Sequence, residues 1–325
     1  MSEAVILTAS DFAPLREDPQ HMDGALAAVE AAIVARTQGR MREGRLVDRV
    51  EGEFEGIRLS LLAGDGLLSG MRIFGNPPHT RAFMLFDGVT RSMLALMDYG
   101  VLNSMRVGAI AGVAAKHLAP QGAKVMGIIG SGWQAPPQVL AMRRAVPSLQ
   151  RIKVYSPTPK NREAFAAAMT PRLGIPVEAV GSVQEAMADA DLVDLCAPGH
   201  FDVREPLYQV DWVKPGALVV AMAPSQYSAD AVRRSRVVAV SYANLTSEPV
   251  ARPPFDELVA KGEFRPEHVT ELGNVILKGA NPRQSAADTV LYHLEGGTVQ
   301  DLFVATWGYE WAKARGLGKP FDLSL

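Results

Sequence analysis

Val125-Met126-Gly127-Ile128-Ile129-Gly130-Ser131-Gly132-Trp133-Gln134-Ala135 reads as a strand, a tight glycine turn and the start of a helix. The G-x-G-x-x-A spacing has a physical logic. Gly130 permits the turn. Gly132 lets the backbone approach a diphosphate with no Cβ in the way, and Ala135 allows close packing of helix on strand. The N–H groups around Trp133 and Gln134, with the positive end of the helix, would hold the anion. Pro136 and Pro137 fall in the first helical turn, where a missing N–H costs little. The competing reading is a tight strand-to-helix turn that binds nothing. Context favours a dinucleotide, because the turn sits among repeated strand–helix units.

Those units begin at Lys124. Short apolar, β-rich runs recur at 125–130, 152–156, 177–180, 192–197, 218–223 and 237–240. Helical stretches lie between most of them, at 134–145, 160–169, 182–189 and 229–234. Such alternation predicts an α/β fold with a parallel sheet, a Rossmann-type doubly wound domain. Continuously apolar strands suit a sheet covered on both faces. Ala197 and Met222, at the ends of the fourth and fifth runs, are candidate walls of the cofactor site. Cys196 beside them reads as a small buried hydrophobe, or as a wall near the nicotinamide, rather than a nucleophile.

An NAD site usually carries a carboxylate about 20 residues after the turn, at the end of the second strand. That strand is Ile152-Lys153-Val154-Tyr155, and Ser156-Pro157-Thr158-Pro159-Lys160-Asn161-Arg162 follows. It holds no acid. Ser156, Thr158, Lys160 and the arginine suit a 2′-phosphate instead, so NADP is the expected cofactor, with NAD the alternative. An ordinary polar loop is the bland reading.

The remainder reads as a second, smaller α+β domain. Residues 23–38 form an alanine-rich helix stopped by Gly39. Runs at 45–62 and 70–74 alternate like antiparallel strands. Phe83 to Gly88 reads as a strand with a turn, and Ser92 to Asp98 as its partner. Ser104 to Leu118 is a small-residue helix ended by Ala119-Pro120, and 284–315 returns to helix. A length of 325 residues fits two domains. A net charge of −2 argues against nucleic-acid or membrane-surface partners. No apolar run approaches a bilayer span. One cysteine excludes an internal disulfide and a multi-cysteine zinc site, and points to a reducing cytoplasm. The six histidines form no metal-binding pair, and no G-x-S-x-G elbow is present.

Four segments resemble the ornithine cyclodeaminase/μ-crystallin family. They are Leu102-Asn103-Ser104-Met105-Arg106-Val107-Gly108-Ala109, Gly130-Ser131-Gly132-Trp133-Gln134, Trp212-Val213-Lys214-Pro215-Gly216-Ala217, and Thr270-Glu271-Leu272-Gly273 followed by Gly296 and Gln300-Asp301. The resemblance spans almost the whole chain. It implies a homodimer of two-domain subunits acting on a small amino or imino acid. Residues 1–115 with 293–325 would bind substrate and dimerise, and 116–292 would form the Rossmann domain. Members move hydride between a substrate α-carbon and a nicotinamide.

The resemblance also assigns residues. Arg106 matches an arginine that holds the substrate carboxylate, a task suited to a bidentate fork. Arg49, in Leu46-Val47-Asp48-Arg49-Val50, matches a second, although strand alternation explains its charge nearly as well. Two departures matter. Relatives carry a lysine in G-V-K where this chain has Gly70-Met71-Arg72, and Arg72 is too basic to release a proton near neutrality. Cyclodeaminases carry an aspartate where this chain has Ser225, and the μ-crystallin branch has a serine there. Arg72 and Ser225 are therefore the candidate catalytic residues, with Arg49, Arg72 and Arg106 binding substrate. Val107 replaces a family threonine, and His293 stands where relatives often show lysine. Loss of the aspartate weakens cyclodeamination most. The expected activity is NAD(P)H-dependent imine or amino-acid oxidoreduction. The alternatives are an ornithine-type cyclodeaminase and a cofactor-bound binding protein.

Overall fold

The computed structural model of the protein describes residues 4–50, 56–74, 81–197, 207–223, 226–246 and 253–321. The chain forms two compact units, Met1–Arg106 with Gly296–Leu325, and Val107–Glu295. The first border falls at Arg106 rather than at residue 115, inside the helix Gly100–Leu118. No local signal marks it, because the helix runs on unbroken. The second border falls at Gly296 rather than at 293.

The first unit contributes β1 (Ala4–Leu7), β2 (Arg42–Val50), β3 (Gly56–Gly64), β4 (Leu68–Phe74), β5 (Arg81–Asp87), β6 (Met93–Asp98) and, near the end of the chain, β15 (Lys319–Phe321). They make one sheet in the order β15-β1-β6-β5-β4-β3-β2, parallel only between β1 and β6. Strand alternation sets its two faces. Phe83 and Leu85 are fully buried, while Ala82, Met84 and Phe86 are half-buried. The helices Met22–Thr37 and Thr298–Lys313 pack on each other, and the second lies along β2 to β5. The first presents Ala25, Val29, Ala32 and Ile33 as a buried stripe at helical spacing.

The second unit contributes β7 (Val125–Ile129), β8 (Arg151–Tyr155), β9 (Val177–Ala179), β10 (Leu192–Leu195), β11 (Leu218–Ala221), β12 (Arg236–Ala239), β13 (Val269–Glu271) and β14 (Val290–His293). The sheet order is β13-β12-β14-β11-β10-β7-β8-β9, parallel throughout. The chain starts at β7, winds out to β9, returns to β10 and winds the other way. This is the expected Rossmann-type doubly wound sheet, with its switch point between β7 and β10. Val193, Leu195, Val219, Ala221 and Leu291 pack from the sheet into one core with Met187, Leu245, Phe255 and Phe264.

One stretch differs from the sequence reading. Residues 284–315 were expected as helix, but Val290–His293 is a central strand and the helix begins only at Thr298. A short, continuously apolar run has no period that separates buried strand from buried helix. Its Val-Leu-Tyr composition favours the strand.

Candidate active site

In the second unit, β7 delivers the chain into the glycine turn. Gly130 has φ +114°, and a Cβ there would lie 2.6 Å from the Cys196 carbonyl oxygen. Only glycine satisfies both conditions. Its N–H donates to the Tyr155 carbonyl at 2.7 Å, and the Cys196 N–H donates to the Ile129 carbonyl at 2.8 Å. Three strand ends thus meet at the turn. At Gly132 nothing lies within 4 Å of a Cβ position. The N–H groups of Ser131 and Gly132 enter no backbone hydrogen bond among the described residues. The helix Ala135–Ala145 starts directly after, with Gln134 at its N-cap and proline in its first turn. A diphosphate fits this turn, where open space, N–H donors and a helix N-terminus coincide. Gln134 is buried, whereas Trp133 is 61% exposed.

The end of β8 is tied to the turn. Ser131 Oγ donates to Ser156 Oγ at 2.9 Å. Thr158 and Lys160 are exposed at the start of the helix Pro159–Leu173. Arg162 is the basic group held in place: its Nη1 donates to the Ser156 carbonyl at 2.8 Å, and its guanidinium lies over the Tyr155 ring.

At the carboxyl ends of β10 and β11, Gln226 acts as a clamp that sequence reading missed. Its Nε2 donates to the Ala197 carbonyl at 2.7 Å, and its Oε1 accepts from the N–H groups of Met222 and Ala223 at 2.9 and 3.0 Å. Ala197 and Met222 are thereby locked side by side. Met222 Sδ also meets Gln138 Nε2 at 3.1 Å. Ser225 lies outside the described residues. Burial and the neighbouring Asp194 push the Cys196 thiol well up, so it is inert as a nucleophile.

The first unit holds a second cluster. Asp301, fully buried in the first turn of the helix Thr298–Lys313, meets Arg72 Nη1 through Oδ2 at 2.9 Å and Arg106 Nε through Oδ1 at 2.8 Å. Both arginines are almost completely buried. Tyr99 OH donates to the Asp301 carbonyl and carboxylate at 3.0 and 3.1 Å, and Arg72 lies over its ring. Arg106 Nη2 donates to Asn103 Oδ1 at 2.9 Å. A Cβ on Gly296 would fall 1.9 Å from Arg106 Nη1, so the guanidinium occupies the space a side chain would take. Arg81 is close as well: burial, then the charges of Arg72 and Arg106, lower its pKa against the pull of Asp98. The structure therefore brings Arg72 and Arg106 together on one carboxylate. Sequence reading quoted Asp301 only within a closing pattern and did not single out Arg81. Arg49 stands on β2, and its side chain lies outside the described residues.

His293 ends β14 in the second unit. Its Nδ1 lies 2.9 Å from Tyr227 OH, and Nε2 is 3.9 Å from Glu295 Oε1. No group of three or more His, Cys, Asp or Glu side chains among the described residues could hold a metal ion. No helix among them is long and apolar enough to cross a membrane.

The model of the ornithine cyclodeaminase/mu-crystallin family matches residues 69–316. The chain belongs to this family. It is similar to the ketimine reductase mu-crystallin of Mus musculus, 30% identical over 244 residues, covering 74% of this chain and 72% of the relative. The fold matches that of the Thermococcus litoralis Delta(1)-pyrroline-2-carboxylate reductase in complex with NADH and L-proline, with a TM-score of 0.85 and 25% identity over 98% of this chain and 100% of that one. It also matches an archaeal alanine dehydrogenase dimer with bound NAD, with a TM-score of 0.84 and 25% identity over 99% of this chain and 100% of that one.

Proposed function

We propose that this member of the family is an NAD(P)H-dependent oxidoreductase that reduces the imine of a small amino acid. The observation that carries the reading is the pair Arg72 and Arg106 gathered on Asp301. Two buried guanidiniums on one carboxylate make a pre-organised carboxylate receptor, and Arg106 has a rigid fork fixed by Asp301 and Asn103. The names of the relatives point the same way: two reductases of a ketimine or a pyrroline carboxylate and one dehydrogenase of alanine. A bound dinucleotide would supply hydride. Gly130, Gly132 and Gln134 would hold its diphosphate, and Ala197 and Met222, locked by Gln226, would wall its nicotinamide. Arg106 would bind the substrate carboxylate, and Arg72 would hold Asp301 and add positive charge. Ser225 keeps its place as a candidate for a contact with the substrate nitrogen, and Arg49 for a second contact with the carboxylate. Loss of NADPH absorbance on adding a cyclic imino acid tests the reading.

The cofactor is proposed to be NADP rather than NAD. No acid stands in the stretch from Ser156 to Arg162 that follows β8, and Arg162 is fixed there beside Ser156, Thr158 and Lys160. NADPH should bind at least tenfold tighter than NADH in a fluorescence titration, about 1.4 kcal/mol. Arg162→Ala should remove most of that preference. A tenfold preference for NADH would contradict it.

The protein is further proposed to be a cytoplasmic homodimer. Met71, Met84, Leu96 and Ile6 are successive neighbours across four strands, on the sheet face opposite Phe83 and Leu85. All four remain partly exposed in the single chain, Ile6 by 37%. A second copy would bury this apolar row. Light scattering at micromolar concentration should give twice the chain mass of 34.9 kDa, and Met84→Glu with Leu96→Lys should halve it. A wild-type monomer would count against the proposal.

A further inference from the structure

A third arginine stands beside the Asp301 cluster, and Arg72, Arg81, Tyr99, Arg106 and Asp301 all belong to the first unit. Between β4 and β5, Arg72 pairs in register with Phe83, and Phe74 with Arg81. Between β5 and β6, Phe83 pairs with Met97, and the Tyr99 N–H donates to the Arg81 carbonyl at 2.8 Å. Side chains two residues apart on a strand, or directly opposed on neighbouring strands, share one sheet face. Arg72, Arg81, Phe83 and Tyr99 therefore stand on one face, the face along which the helix Thr298–Lys313 places Asp301. Arg81 is the diagonal neighbour of Arg72 there, a relation in which long side chains still meet.

The three arginines differ in access and in pairing. Arg72 and Arg106 are buried and held on Asp301, whose oxygens also accept from Tyr99. Arg81, the first residue of β5, is only half-buried, so it stands nearer the rim of the cluster. The charges of Arg72 and Arg106 act on it more strongly than the opposing pull of Asp98. Asp98 pairs with Ala82, which puts it on the other face of the sheet, and its Oδ1 accepts the Gly100 N–H at 2.9 Å. An anion beside Arg81 would relieve that repulsion. A guanidinium fork matches a carboxylate with two parallel N–H donors.

We propose that the substrate is an imino acid with a second carboxylate on its side chain, and that Arg81 reads this distal carboxylate while Arg106 holds the α-carboxylate. The inference rests on the imine-reductase reading and narrows its substrate class. A substrate ending in a methyl group would bring no charge to Arg81 and would set an apolar end beside guanidiniums, where it gains little.

The probes are 2-oxobutanedioate and 2-oxobutanoate, each with ammonium and reduced dinucleotide. Their linear imines have carbon chains of equal length and differ only in a terminal carboxylate against a methyl. The wild-type kcat/KM should be at least about tenfold higher for the diacid, as expected of a hydrogen bond to a charged group. Arg81→Gln should lower that ratio by about tenfold or more, chiefly through the KM of the diacid. Arg81→Lys keeps the charge that the fold has accommodated but loses the fork, and should lower the ratio by at least about threefold. A merely structural arginine would depress both probes alike and leave the ratio unmoved. An unmoved ratio in both variants overturns this inference alone. So does a wild type that reduces monocarboxylic or cyclic imino acids without preferring the diacid. Failure of the wild type to reduce any imino acid overturns both this and the functional reading.

Discussion

Arg106→Ala is expected to lose between about 30-fold and several thousand-fold in kcat/KM while NADPH affinity stays nearly constant. The range follows from truncating one partner of a desolvated charge pair, about 2–5 kcal/mol. Asp301 keeps Arg72 as its counter-ion at 2.9 Å, so the variant does not leave a bare buried carboxylate. Arg106→Lys should recover only part of the loss, because an ammonium cannot reproduce a fork held at once by Asp301 and Asn103. Gly296→Ala approaches the same point from the other side. Its methyl would displace the guanidinium, a flexible end that can move without unfolding the chain. It should raise KM at least about tenfold through misplacement of the reacting groups. Steady-state kinetics with a separate dinucleotide titration check both variants. Full activity in Arg106→Ala would remove the carboxylate receptor from the account.

Asp194→Val should stabilise the fold by about 4 kcal/mol at pH 7. Asp194 is fully buried in the middle of β10, and its carboxyl oxygens have no hydrogen-bond partner among the described residues. Its register neighbours are Ile128 on β7 and Val220 on β11. Burial alone pushes its pKa from 3.8 up to about 8. The sign follows directly. Between those values the folded chain holds a proton that the unfolded chain has released, so stability declines as pH rises, by about 1.4 kcal/mol per unit. The decline begins near the unfolded pKa and ends near the folded one. Asp194→Asn should abolish this slope while retaining the cost of an unsatisfied amide, and Asp194→Val should remove both. Urea denaturation at several pH values between 4 and 9 reads the slope and the midpoints. A flat wild-type profile, or a valine variant no more stable than wild type, would contradict it.

The nucleotide half was legible because each position in its turn answers a steric or electrostatic need. Gly130 has to be glycine for reasons visible in a strand–turn–helix string, and Gly132 leaves open the space that a diphosphate would take. Arg72 and Arg106 were singled out by resemblance, and the structure adds the carboxylate on which both rest. Asp301 pairs with Arg72 across 229 residues of sequence. An aspartate in the first turn of a helix reads locally as an ordinary N-terminal acid. Gln226 was hidden for the same reason, since its partners lie on two strands that only the sheet brings together. Arg81 carries no local sign of its neighbours. β14 was absorbed into a helix because four residues, three of them apolar, hold too little periodicity. Asp194 lies within an apolar run that reads as a strand covered on both faces, and nothing local in that run shows that its carboxyl goes without a hydrogen-bond partner among the described residues.

The most direct measurement follows reduced dinucleotide and amino-acid product together, with purified protein and a panel of cyclic and linear imino acids. One reduced dinucleotide should be oxidised for each imine converted, with the saturated amino acid formed in equal amount. Ammonia release from a diamino acid, with no net change in NAD(P)H and no imine reduction, would contradict it.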